Sequence, residues 1–283
     1  MEVRARDVSQ FIINPADTLQ HQLFHLTLDG KLHLSPISKI DQSVLDIATG
    51  DATWVHAFAE GNPSASIVAN DPSSIQNTIP PGISIFPDTS DANEPWNYNR
   101  QFDFIHCRQH HRRLNERRLF EQAFNNLAPG GWLEMQELSN PVTSDDGTLS
   151  PSDPLAKWGR LLIEASDKIN RPVDNPTKYE TWMRDAGFVN CQTVVFKWPT
   201  NPWPKDERGK MMGLWNLFNV LQRFEEFSMA LLVKVLGWDG EDARGFLGEV
   251  RAELRDGGVH AYWPVYVVYG QKPLFGSADN SQD

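Results

Sequence analysis

Val44-Leu45-Asp46-Ile47-Ala48-Thr49-Gly50-Asp51-Ala52-Thr53-Trp54 is the stretch that decides the fold. An apolar run carrying one acid reads as a buried strand, and the small residues behind it read as a tight turn. Residues 54–59 then give the first turns of a helix, stopped by Gly61. Strand, small-residue turn and helix start together aim backbone N–H groups and a positive helix end at a ligand. Such a loop usually has glycine at three alternate positions. Here Gly50 keeps it, while Ala48 and Ala52 carry methyl groups.

Outward from this loop, apolar runs at 43–47, 66–69, 83–86, 102–107 and 132–138 alternate with helical patterns. That alternation implies a parallel sheet with helices on both faces. Residues 19–28 have Leu19, Leu23 and Leu26 at helical spacing, with Gly30 as the stop. Asn115 is expected to cap a helix bearing Leu119, Phe120, Ala123, Phe124 and Leu127, ended by Pro129-Gly130-Gly131. Asp145-Asp146-Gly147 marks a loop, and helices follow at 153–169 and from an Asn175 cap to Gly187. Two further strands, 189–198 and 259–269, bracket a helix-rich insertion at 205–256. The insertion has too many apolar faces for a surface helix, which leaves deep packing, a lid or a dimer interface, with packing the default. Residues 1–40 read as an N-terminal helical cover, 41–273 as the main domain and 274–283 as a disordered polar tail.

Composition removes several classes of function. The 283 residues carry a net charge of −11, which argues against general nucleic-acid binding. Cys107 and Cys191 are the only cysteines, so no disulfide framework is expected and a reducing compartment is. No apolar run approaches the roughly 20 residues of a membrane span, and the first residues have no signal-peptide core. The expected location is therefore cytoplasmic, with a nuclear one possible. Ten Trp and fifteen Phe supply bulk for a core or for a pocket taking an apolar or aromatic small molecule.

Candidate chemistry gathers at the strand ends. Asp71, before Pro72, stands where an acid accepts the hydroxyls of a ribose, and Asp88, before Thr89, where one takes an adenine amine. Both are also common turn residues. After the fourth strand comes the basic stretch Gln109-His110-His111-Arg112-Arg113-Leu114-Asn115-Glu116-Arg117-Arg118, unusual in an acidic chain. His110 or His111 can take a proton from a hydroxyl, and the arginines can hold a carboxylate bidentately, against a solvated loop as the plainer reading. His21 and His25 share a helix face but have no third partner at metal-ligand spacing, so no metal site is expected. Of Glu134 and Glu137, one is expected toward the pocket and the other toward solvent. Dehydrogenases and methyltransferases share this layout. Asp46 inside the first strand, able to hold a methionine ammonium, and the final strand pair around a helical insertion favour methyl transfer.

These motifs resemble the fungal secondary-metabolism methyltransferases of the LaeA/UMTA type. The resemblance runs from about Leu19 to Pro273. It is carried by Leu19-Gln20-His21-Gln22-Leu23, the Val44–Trp54 loop, Asn70-Asp71-Pro72, Phe102-Asp103-Phe104-Ile105-His106-Cys107-Arg108, Leu127-Ala128-Pro129-Gly130-Gly131-Trp132-Leu133-Glu134, Trp203-Pro204-Lys205-Asp206 and His260-Ala261-Tyr262-Trp263-Pro264-Val265-Tyr266. It implies the class I methyltransferase (Rossmann-like) α/β fold, mostly parallel with an antiparallel last strand, and S-adenosylmethionine as cofactor. It implies a cofactor site at Asp46, Ala48, Gly50, Asp71, Pro72, Asp88 and Thr89, with His106 at the strand end facing the methyl. Bases would come from His106, His110, His111 or His25.

The family's loop reads Asp-Ile-Gly-Thr-Gly-Thr-Gly-Ile-Trp. This chain departs from it at Ala48 and Ala52, and at Asp51, which reads either as a repelling anion or as a helix N-cap. The family's aromatic stretch before the first helix is also missing, so part of the cover is expected to be absent. The expected function is O- or N-methylation of a small secondary metabolite. The alternative is a scaffold that has lost methyl transfer and steers a cyclisation, isomerisation or elimination. A regulatory partner protein ranks last.

Overall fold

Val44, Leu45 and Ile47 have almost no exposure, and an apolar run buried on both sides needs a sheet neighbour on each edge and a helix layer on each face. The computed structural model, which describes residues 19–37, 42–50, 52–70, 84–88, 90–109 and 114–274, supplies them. Strand β1 (Ser43–Ile47) lies between β2 (Ser66–Asn70) and β4 (Phe102–Arg108), parallel to both. With β3 (Ser84–Asp88), β5 (Leu127–Leu138), β6 (Val189–Pro199) and β7 (Tyr262–Gln271) they form one sheet ordered β3-β2-β1-β4-β5-β7-β6. Strand β7 runs antiparallel to both its neighbours. The mostly parallel α/β sheet with an antiparallel last strand is thus as the sequence implied.

Side-chain alternation divides the faces. Leu45, Ile105, Leu133 and Met135 meet α3 (Glu116–Asn126) and α5 (Tyr179–Asp185) on one side. Val44, Ile67 and Phe104 meet α2 (Thr53–Gly61) on the other, through Trp54, Val55 and Phe58. Asn115 caps α3 by accepting from Arg118 N at 3.2 Å, as expected.

The insertion packs rather than stands free. It comprises α6 (Glu207–Met229), a π-helical turn (Ala230–Val235) and α7 (Gly240–Arg255). These share a second core with α4 (Pro154–Lys168), centred on Trp158, Phe224, Leu247 and Trp263. Helix α6 also carries the first helix, α1 (Leu19–Thr27): Leu23 and Phe24 pack on Trp198, Met212 and Val265. Phe24 meets Trp198 edge-on at 4.9 Å, and Trp198 Nε1 donates to Thr27 Oγ1 at 2.7 Å. Arg208 donates to Leu26 O at 2.6 Å and pairs with Asp29, placing a cation where the carbonyls at the end of α1 need donors.

Beyond shifts of a residue or two at other ends, four features differ from the sequence reading. Strand β5 begins at Leu127, because Gly130 and Gly131 exchange backbone bonds with Lys272 and so extend the sheet instead of interrupting it. Strand β7 begins at Tyr262 rather than Val259. Asn175 lies inside a 3-10 turn (Asn175–Lys178) and donates to Glu116 instead of capping. The N-cap position of α2 falls on Ala52, not Asp51, which lies outside the described residues, as does the tail from 275 onward.

Gly213 tests the seat of α6, since an added Cβ would land on the backbone carbonyl of Asn201. Gly213→Ala should lower unfolding free energy by about 3 kcal/mol through overpacking. Gly248→Ala, with nothing near the added carbon, should raise it by about 0.5–1 kcal/mol through helix propensity. Urea unfolding of both variants checks the contrast.

Candidate functional site

The turn after β1 keeps the backbone of a glycine-rich loop without its glycines. Ala48, Gly50 and Ala52 have φ of +57°, +62° and +62°. An alanine held there costs roughly 1–2 kcal/mol relative to right-handed backbone. Local bonds hold the shape: Thr49 N donates to Asn70 O at 3.1 Å, Thr49 Oγ1 to Asp46 O at 3.0 Å, and Ala52 N to Thr49 O at 3.2 Å. The methyl positions answer the steric question. Ala52 is 1% exposed, so its extra carbon is packed inside the protein. Ala48 is half-buried and leans on the α3/α5 core, while Gly50 is exposed, with only Ala48 O at 3.9 Å from where a Cβ would stand.

Register places Asp46, His106 and Glu134 side by side on three adjacent strands, on the α2 face. His106 Nδ1 donates to Asp46 Oδ1 at 2.7 Å, which leaves Nε2 buried without a partner. The Trp54 ring lies flat on the imidazole, centroids 3.7 Å apart and planes 5° apart. His106 is therefore fully enclosed, and Asp46 is 3% exposed.

A short strap after α1 closes this face. Leu32 O accepts from Trp54 Nε1 and Gln136 Nε2, both at 3.0 Å. The Glu134 carboxylate, without exposure, accepts from Leu34 N at 2.9 Å, Ser35 N at 2.7 Å, Ser35 Oγ at 2.5 Å and Gln136 Nε2 at 2.8 Å. The expected division of Glu134 and Glu137 between pocket and solvent is overturned. They do point to opposite faces, but both faces are covered, and Glu137 is only 6% exposed. His33, in the strap, packs beside Phe58 and Phe104, and burial pulls its pKa below the ordinary 6.5 against the raising influence of Glu134 and Ser35 O.

At the end of β3, Asp88 is already organised. It accepts from Tyr98 Oη at 2.7 Å, Ser90 N and Oγ both at 2.9 Å, and Asn70 Nδ2 at 3.0 Å. Burial opposes these bonds, but together they hold its carboxyl below the usual range and pin it beside the end of β2. His25 is exposed on α1, stacked on buried His21 with ring centroids 6.3 Å apart, and nothing joins it to the Asp46–His106 pair. Arg108, ending β4, meets His21 Nδ1 at 3.2 Å and covers the Phe24 ring. Asp71, Pro72, Thr89, His110 and His111 lie outside the described residues. The structure thus brings Asp46, His106 and the Ala48–Ala52 turn together, sets Asp88 across the end of β2, and leaves His25 apart. Sequence reasoning missed Trp54 and the strap; the signal was Glu134, an acid inside an apolar strand, which requires buried donors.

A family model described as a methyltransferase domain matches residues 19–193. The chain belongs to the methyltransferase-domain family. It is 76% identical over 261 residues, 92% of this chain and 82% of the relative, to a probable methyltransferase, tdiE, of Emericella nidulans. It is 28% identical over 90% of its length, and 85% of the relative's, to the secondary metabolism regulator LAE1 of Cochliobolus heterostrophus, the LaeA-type branch. Among solved structures, the cyclopropane synthase MmaA2 of Mycobacterium tuberculosis superposes with a TM-score of 0.52 at 16% identity, over 93% of this chain and 88% of that one, which speaks for the fold. The chain is a methyltransferase-like enzyme of class I architecture. Among the described residues no helix is long and apolar enough to cross a membrane, and no cluster of metal-ligating side chains is present.

Two tests follow from the strap. Glu134→Ala should cost about 2–4 kcal/mol, because it strands the buried Leu34 and Ser35 donors; chemical unfolding measures it. For His33, a folded pKa below 6.5 means that the unfolded chain binds the extra proton first. Stability should be whole above that value and decline as pH falls below it, and His33→Asn should flatten the decline in melting curves between neutral and mildly acidic pH.

Proposed function

We propose that this chain transfers a methyl group from S-adenosylmethionine to an oxygen or nitrogen of a small secondary metabolite. The observation that carries the reading is the turn after β1. Its three left-handed positions survive at Ala48, Gly50 and Ala52, and the one fully buried methyl is turned into the protein. The cofactor therefore fits a cradle whose open side is Gly50. The Asp46 carboxylate beneath the turn, held by His106, adds acceptor character suited to a cationic ligand.

In this reading the Gly50 turn and Asp46 hold the methionine end, and Asp88, kept ionised by its four donors, takes the adenine amine. Asp71 and Pro72 at the ribose, and Thr89 beside the adenine, rest on sequence position alone. Bound in this cradle, S-adenosylmethionine supplies an electrophilic methyl on its sulfonium. The protein's part is chiefly to fix the geometry of approach. His106, enclosed under Trp54, serves as a positioning residue: it orients the Asp46 carboxylate and supports the helix start behind the turn. Where the nucleophile carries a proton, His110 or His111, which follow β4 in the sequence, is the candidate base on sequence position alone, and His25 is not favoured. The metabolite is apolar or aromatic, consistent with the aromatic content, and a cytoplasmic or nuclear location fits this role.

Isothermal titration with S-adenosylhomocysteine should give one site per chain. Asp88→Asn should weaken it roughly 10-fold or more, the worth of a hydrogen bond to a charged group. A flat titration of the folded wild-type chain would sink the methyl-transfer reading in favour of a scaffold doing other chemistry.

A further inference from the structure

On the opposite face of the sheet from Trp54 and His106 lies a cavity of about 480 Å³, within the range of small-molecule sites. It opens between the start of α3 and the turn that leads into α5. Val173 O accepts from Asn140 N at 3.1 Å, which ties that turn to the end of β5 and sets the cavity on the rim where such sheets bind ligands. Leu114, Pro172 and Trp182 give it apolar walls, while Arg117 and Arg171, both solvent-exposed, line its mouth with cationic side chains.

The charges in this cavity are unusual for a chain of net charge −11. Among the described residues neither Arg117 nor Arg171 forms an ion pair or donates a side-chain hydrogen bond, and Arg117 only covers the Trp182 ring, at 4.8 Å. The one carboxylate on the wall, Glu116, has its oxygens held by Asn175 Nδ2 at 2.5 Å and Tyr179 Oη at 2.6 Å. Asn175 lines the same cavity and Tyr179 belongs to α5, so this carboxylate is already engaged by neutral donors. Two uncommitted forked donors beside an indole match a flat molecule with an acid group: bidentate N–H donors for the acid, apolar wall for the ring.

We infer that this cavity is a binding site for a small aromatic carboxylate, with Arg117 and Arg171 as the acid-binding residues. Its lining residues include none of the Gly50 turn, and the inference does not rest on the methyl-transfer reading. Titration of the full chain with sodium benzoate, using benzamide as its uncharged counterpart, tests it. Benzoate should bind in the millimolar range, with benzamide at least roughly 10-fold weaker. Arg117→Gln and Arg171→Gln should each weaken benzoate several-fold, and the double variant by roughly 10-fold or more. Retained melting temperature and retained S-adenosylhomocysteine binding show that the variants are folded. Equal binding of benzamide, benzoate binding unchanged in the double variant, or no benzoate binding at tens of millimolar would each overturn the inference. Loss of S-adenosylhomocysteine binding with benzoate binding intact would strike the methyl-transfer reading alone.

Discussion

Every feature of the α2 face follows from the need to turn the chain sharply after Ile47. With φ near +60° at Ala48, Gly50 and Ala52, the backbone folds back so that α2 begins directly over β1 and β4. That placement drops Trp54 flat onto His106, and the stacked pair then buries the Asp46 carboxylate against a donor. Two alanines in left-handed backbone are a local cost of roughly 2–4 kcal/mol together. The aromatic and hydrogen-bonded contacts that the turn creates must offset it. Strain of this kind persists where surrounding structure over-determines the backbone, and it gathers at ligand sites.

The buried charges are organised by the same geometry. Asp46, His106 and Glu134 form a row across three strands, and an acid on each side of an imidazole would be intolerable without donors. Asp46 takes its donor from His106; Glu134 takes backbone and hydroxyl donors from the strap. The strap is thus held by electrostatics where the neighbouring helix is held by apolar packing, and Leu32 O joins the two through Trp54. Conversely, the polar face of β5 could not be buried without residues that come about a hundred positions earlier in the chain.

This explains what the sequence could and could not disclose. The strands were legible because each is an apolar run between turn residues, and the cap of α3 because Asn115 carries its own signature, whereas the Asn175 and Asp51 caps were not. The β1 turn was legible because its small residues recur at alternate positions. The buried fate of Glu134 and Glu137 was not, because period-two alternation assigns faces but does not say that both faces are covered. The early start of β5 was hidden for a related reason: Pro129-Gly130-Gly131 reads locally as a stop, and only the partner strand around Lys272 makes it sheet. Trp54 over His106 joins residues far apart in the chain, and a periodic pattern carries no information at that range. Among the candidate site residues, Asp46, Gly50 and Asp88 were proposed from position in the chain, while the enclosure of His106 and the exposure of His25 needed the packed helices.

The cover over the site is a fixed wall rather than a free flap. Helix α1 shares a core with Trp198 and Met212, its final carbonyls are held by Arg208, and α6 is seated against Asn201 through the missing side chain of Gly213. Moving α1 would break an aromatic contact, a buried indole hydrogen bond and a guanidinium cap at once, while the strap that follows it is anchored separately by Glu134. The insertion and the N-terminal helix therefore behave as one body clamped to β6 and β7.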